Sequence, residues 1–227
     1  MPVFHGNDLL ADFIYTTAII KELEKSLSAK RLSRYVTLTE GDVEQAIKWH
    51  LWNSALGAAL HVPMQNFELL LRNALNDQLS AKFGECWYEE LYSQFHPIFQ
   101  RQISSAKDEL TKQARLPLQS SAVIAQFTFG AWINLIHHRY DRLLWKFCLY
   151  KAFSNQPTIF NRKLLKSSLE QIRGLRNRIA HHEPICNREL DKDFKLILEV
   201  ATWISPLTAN WIEHHSQFQD IWSNPPK

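Results

Sequence analysis

Six glycines in a chain of 227 residues leave few places where the backbone can take a positive φ without strain. Average usage of about 7% would supply roughly 16. A β-sandwich or barrel turns every few residues and draws heavily on such positions, so the shortage argues against an all-β architecture. The long segments between breaks point the other way, because their apolar residues recur every three to four positions. Apolar residues make up 45% of the chain, enough for a sizeable core, and 22% charged residues excludes a disordered or collagen-like chain. The expected class is all-α, a helical bundle with additional helices.

The segments fall as follows. A first amphipathic helix is predicted over roughly 7–27, followed by a basic connector from Lys30 to Arg34. Thr39, with Asp42 three residues on, resembles a capping box that opens a helix carrying Val43, Ala46, Trp49, Trp52, Leu56 and Leu60. Pro63 either starts a new helix or kinks this one; the apolar face continues through Met64, Phe67, Leu71, Leu75 and Leu79, and Gly84 is its stop. Further helices are predicted at 87–95, 97–115, 121–137, 138–152, 161–181 and 189–216. No repeat, low-complexity tract or Gly/Ser-rich linker divides the sequence, so residues 1–227 are expected to form one domain.

Three cysteines (Cys86, Cys148, Cys186), odd in number and never in a CxxC pair, speak against a disulfide framework or a cysteine-rich zinc site. A reducing cytoplasm is the expected location. The opening MPVFHGNDLLADFIY has no basic region ahead of an apolar core, so no signal peptide is expected. The longest uncharged stretch, Leu116 to His138, is too rich in Gln, Ser, Asn and His to span a bilayer, and no membrane partner is expected. A net charge of +3 does not by itself mark a nucleic-acid binder; local clustering must do that.

The strongest local cluster is Arg176-Asn177-Arg178-Ile179-Ala180-His181-His182-Glu183-Pro184-Ile185. With Arg173, it puts three arginines just ahead of two histidines. Arginine presents a permanently charged fork that matches phosphate oxygens. Histidine gives and takes protons near neutrality. Together they suit phosphodiester chemistry. Arg173, Asn177 and His181 stand at i, i+4 and i+8 on one helical stripe, which would let Asn177 orient His181. Arg176 lies about 140° from His181 around an ideal helix, so a straight rod would keep them apart. Three arrangements would reunite them: unwinding of the helix before Pro184, a bent Arg176 side chain, or a second protomer. Cations also gather at helix ends simply to meet the negative dipole, so the spacing leaves a solvated terminus open as well.

Arg176-Asn177-x-x-x-His181 resembles the motif of the HEPN superfamily, and RNRIAHHEPI is similar to its Abi-like (abortive infection) branch. Two upstream blocks extend the resemblance. Trp52-Asn53 followed by Glu68-x-x-x-Arg72-Asn73-Ala74 resembles the branch's WN pair and ExxxRNA helix, and Phe129-Gly130-Ala131-Trp132-Ile133-Asn134-Leu135 is similar to its central segment. The resemblance is strongest over residues 35–210. It implies an all-helical HEPN-type domain that forms a homodimer with the active site at the interface. It also implies metal-independent RNA cleavage by 2′-OH attack, leaving 2′,3′-cyclic phosphate and 5′-OH ends, in antiphage defence or as a toxin. Carried over, His181 transfers protons, Arg176 clamps the charge on phosphorus and Asn177 orients. Glu68, Arg72, Asn73, Arg173 and His182 are the supporting candidates. Glu68 and Arg72 at i, i+4 read equally as an ordinary intrahelical ion pair. RNA is the expected partner, and an antitoxin or inhibitory protein a further one.

Other chemistries find little footing. The pairs His137-His138, His181-His182 and His214-His215 are adjacent, whereas helical metal ligands stand four apart as in HExxH, which does not occur. Neither a phosphate-binding glycine loop nor GxSxG is present, so no cofactor or metal is expected. Cys186 reads as a packed cysteine. The rival to a nuclease is a non-catalytic helical module that binds RNA or protein through the same basic residues, with Lys107, Lys112, Arg115, Arg162, Lys163 and Lys166 as further cations.

Overall fold

The computed structural model describes residues 13–113 and 117–226, and over these it is helical with no strand. Residues 7–12 of the first predicted helix and Arg115 lie outside the described residues, and 13–16, also placed in that helix by the sequence, are not helical: Thr16 caps the start at Thr17. The chain falls into two compact units, one of residues up to Pro63 with Leu175–Asp191 and His215–Lys227, the other of Met64–Gly174 and Lys192–His214.

In the first unit, α1 (Thr17–Leu27) and α2 (Ala29–Leu38) are separated by Ser28 alone, which takes φ 68° and caps α2 by accepting from the Arg31 N–H. The predicted basic connector is thus helical: Leu32 and Tyr35, three apart, are buried on one face and its cations stay on the other. The predicted capping box is also replaced. Asp42 Oδ1 accepts from the Gln45 N–H, whereas the Thr39 hydroxyl lies within donating distance of the Tyr35 carbonyl behind it and the Asp42 carbonyl ahead. Leu32, Tyr35, Ala46 and Ile47 form the core, with Tyr15, Ile20, Leu23, Trp49 and Cys186 packed on it.

Helix α3 (Val43–Phe83) does not stop at Pro63, although that residue has no N–H to offer the Ala59 carbonyl. Its part up to Pro63 belongs to the first unit and the rest to the second. Gly84, at φ 84°, ends it as expected.

The second unit is built around Trp87 at the start of α4 (Trp87–Glu90), which stops short of the predicted 87–95 and gives way to a 3₁₀ turn over Tyr92–Gln94. The Trp87 ring meets Tyr88, Phe95, Phe99, Phe127 and Trp132, and its Nε1 donates to Asn76 Oδ1 at 3.0 Å. Helix α5 (Pro97–Lys112) follows. The helix predicted over 121–137 is two, α6 (Ser120–Ala125) and α7 (Phe129–Leu135), because Thr128 caps a fresh start by accepting from Ala131 N–H. No α-helix fills 138–152. Asp141–Trp145 is a π-helical turn between two 3₁₀ turns, and Asp141 is held there by Arg162 and Lys146 at 3.1 Å each. Helix α8 (Arg162–Ala180) matches its prediction closely. The last predicted helix breaks into α9 (Leu190–Ile204) and α10 (Pro206–His214). Ser205 Oγ caps the second by accepting from Thr208 N–H, and Pro206 sits at its first position. A short α11 (Phe218–Trp222), unanticipated, completes the first unit.

Candidate functional site

The end of α8 carries Arg176, half-buried, and Asn177, exposed, in the first unit. The helix stops at Ala180 in a defined way. The His182 N–H donates to the Ile179 carbonyl at 3.1 Å and the Glu183 N–H to the Arg178 carbonyl at 2.8 Å, while His182 takes φ 55°. This is a Schellman closure, with histidine in the left-handed position that glycine normally fills. Pro184 two residues on prevents the helix from resuming. His181 still completes the helical ladder, its N–H donating to the Asn177 carbonyl at 2.9 Å, and His182 is the residue that turns; both are exposed. The helix thus ends before Pro184.

Side chains of α2, of α3 and of the helix itself pin this turn. Arg31 Nη1 on α2 donates to the His182 carbonyl at 3.0 Å. Arg178 Nε lies 3.4 Å from Glu183 Oε2, an ion pair across the turn. Most telling is Asn53, a buried polar residue of α3. Its Oδ1 accepts from the N–H groups of both Ile185, at 2.7 Å, and Cys186, at 3.1 Å. Neighbouring Trp52 donates from Nε1 to the Ile221 carbonyl and stacks on Trp222, which holds α11 against α3. The WN pair is therefore a clasp: Trp52 secures α11 and Asn53 secures the chain just after the histidines. Sequence reasoning marked the pair as a family likeness but gave Asn53 no task and missed Arg31; only the rarity of a buried asparagine would have flagged the first.

The side-chain hydrogen bond that helical spacing offered between Asn177 and His181 is not formed among the described residues. Cys186 packs on the core, and burial pushes its thiol above the ordinary range, opposed by its own backbone N–H and then Arg34. A thiol so placed is a poor nucleophile.

Glu68, Arg72, Asn73 and Arg173 belong to the second unit. Arg72 does not pair with Glu68; its Nε donates to Asn73 Oδ1 at 3.3 Å. Arg173 pairs with Glu170 at 2.6 Å, and its guanidinium lies beside Gly130 at the start of α7. Among the described residues no three His, Cys, Asp or Glu side chains gather as metal ligands would, and no helix is long and apolar enough to cross a membrane.

The fold and this turn define an all-helical protein that presents an Arg-Asn-x-x-x-His-His segment at a helix end. A model of the Abi-like protein family matches residues 18–187, well over half of the chain. The chain belongs to that family. No curated protein and no solved structure matches it.

Proposed function

We propose that the chain is a HEPN-type endoribonuclease of abortive infection, cutting RNA without a metal ion. The observation that carries this reading is the Schellman turn, which sets two exposed histidines at the end of a helix bearing Arg176 and Asn177, with Asn53 and Arg31 fixing the backbone around them. Exposed imidazoles on an anchored backbone suit proton transfer to a large external substrate. In the reaction a base removes the ribose 2′-OH proton, O2′ bonds to the adjacent phosphorus, and the P–O5′ bond breaks. The departing 5′ oxygen takes a proton, so the products are a 2′,3′-cyclic phosphate and a 5′-OH. His181 handles one of these protons, and Arg176 stabilises the added negative charge on the phosphoryl oxygens. Asn177, Arg173 and His182 support the segment, and Glu68, Arg72 and Asn73 form the second supporting group. A homodimer pooling two arginines and two histidines belongs to the same reading. The family's name supports the abortive-infection role.

Purified protein is incubated with end-labelled RNA, with and without EDTA, and the product ends are identified. Cleavage should persist in EDTA and leave cyclic phosphates, and a 2′-deoxy residue at the scissile position should resist. His181→Ala should abolish cutting with the helical circular dichroism intact. Arg176→Lys should lose about 10²-fold, the scale for removing one preorganised charge stabiliser. Light scattering should report a dimer. An active His181→Ala protein, or a fully active monomer, refutes the assignment. RNA binding without cleavage by the wild type would instead favour the non-catalytic module.

A further inference from the structure

A second cationic feature belongs to the second unit. In the second unit, His138, Arg162, Lys163, Lys166, Ser167 and Glu170 line an open recess of about 380 Å³. Residues 137–170 carry seven arginines and lysines and only two carboxylates, Asp141 and Glu170, in a chain whose total net charge is +3.

Both carboxylates are shared. Asp141 meets Lys146 and Arg162 at 3.1 Å each, and Glu170 meets Lys166 at 2.7 Å and Arg173 at 2.6 Å. Each acid is thus claimed by two cations, and the neighbourhood keeps a surplus of positive charge. Lys166 can turn to a new anion without stranding Glu170, which retains Arg173. Arg162 is anchored further, its Nη1 donating to the Ile136 carbonyl at 3.0 Å, so it stays as a fixed charge in the wall. Lys163 is exposed and makes no ion pair among the described residues. The field is felt locally: the His137 imidazole is held below its ordinary range by burial and then by the positive charge of His138, Arg139, Lys166 and Arg162.

We propose that this recess binds backbone phosphates of an RNA strand, with Lys163 and Lys166 as the mobile contacts and Arg162 as the fixed one. An open, cation-lined recess suits successive phosphates of a polymer better than an enclosed pocket would, because a backbone can enter and leave it without burying its bases. The choice of RNA over another phosphate source rests on the function proposed above.

Binding is measured by fluorescence anisotropy with a labelled single-stranded RNA. Full-length protein carrying His181→Ala is used, so that the probe is not consumed. Adding Lys163→Ala and Lys166→Ala together should weaken binding about ten-fold or more and lower the salt slope by about 1.4, at roughly 0.7 for each single-strand phosphate contact. Arginine at both positions should retain binding, and Lys21→Ala, which removes a charge from the other unit, should leave both quantities unchanged. Unaltered affinity and slope in the double alanine variant, or no RNA binding at all, would overturn the assignment. Inorganic phosphate and a mononucleotide serve as competitors; displacement of the RNA by either at low concentration would assign the recess to a small phosphate ligand and sink the RNA reading. Cleavage is followed separately without the His181 change. A chain that never cuts RNA but loses RNA binding in the double variant keeps the recess and discards the nuclease. A chain that cuts, with KM and affinity indifferent to the two lysines, does the reverse.

Discussion

Replacing Asn53 by alanine tests the clasp on the histidine turn. The amide oxygen accepts two backbone N–H groups at 2.7 and 3.1 Å, and Ile185, which owns the shorter bond, is 1% exposed. Alanine leaves that N–H buried without an acceptor, a penalty of about 1–3 kcal/mol. Cys186 is partly exposed, so water can reach its N–H and the second loss falls at the low end, about 1 kcal/mol. The sum is about 3 kcal/mol, a large share of the total stability of an ordinary domain. Asn53→Asp keeps an acceptor at the same place and separates loss of the bonds from loss of volume. Urea unfolding followed by circular dichroism reads both variants. Alanine should lower the midpoint strongly and aspartate less, and hydrogen exchange at the Ile185 amide should accelerate in the alanine protein. If Asn53→Ala costs under about 0.5 kcal/mol, or leaves that amide protected, the clasp is not what holds the turn.

His182 occupies the left-handed region at φ 55°, so His182→Gly should stabilise by about 0.5 kcal/mol, relief of strain less the entropy gained by the unfolded chain, while a β-branched His182→Val should destabilise; thermal melts of the pair check the sign. His50 is held below its ordinary value of 6.5, first by burial and then by Arg31, and its Nδ1 is buried without a hydrogen-bond partner among the described residues. The unfolded chain therefore takes up the proton more readily, so stability is full above about pH 6.5 and declines as pH falls below it; a pH series of urea midpoints should show this, and His50→Gln should flatten it.

Much of the fold was legible because long amphipathic helices announce themselves locally. The helices Arg162–Ala180 and Pro97–Lys112 were readable from apolar spacing, and Gly84 marked a helix end because only a residue without a Cβ takes φ 84° at no cost. Ser205-Pro206 and Thr128 were legible starts as well, a side-chain cap in each and a proline at the first helical position in one, yet apolar periodicity running through them hid the breaks. The π-helical turn at Asp141–Trp145 had no such local signal. Arg162, 21 residues away in sequence, and Lys146 hold its aspartate, and their pull draws that carboxyl below its usual range, Lys146 contributing most.

The candidate site divides along the same line. The order Arg176, Asn177, His181, His182 and the proline that ends their helix are properties of the chain itself, and so is the class of chemistry those side chains can do. That the helix closes with His182 in a left-handed turn, that Asn53 grips the two amides beyond it across 132 residues of sequence, and that Arg31 steadies the His182 carbonyl were decided only by folding. Periodicity records which residues share a face of one helix; it holds no information about which distant acceptor a buried amide will find, because that bond exists only once burial has removed water as the alternative partner.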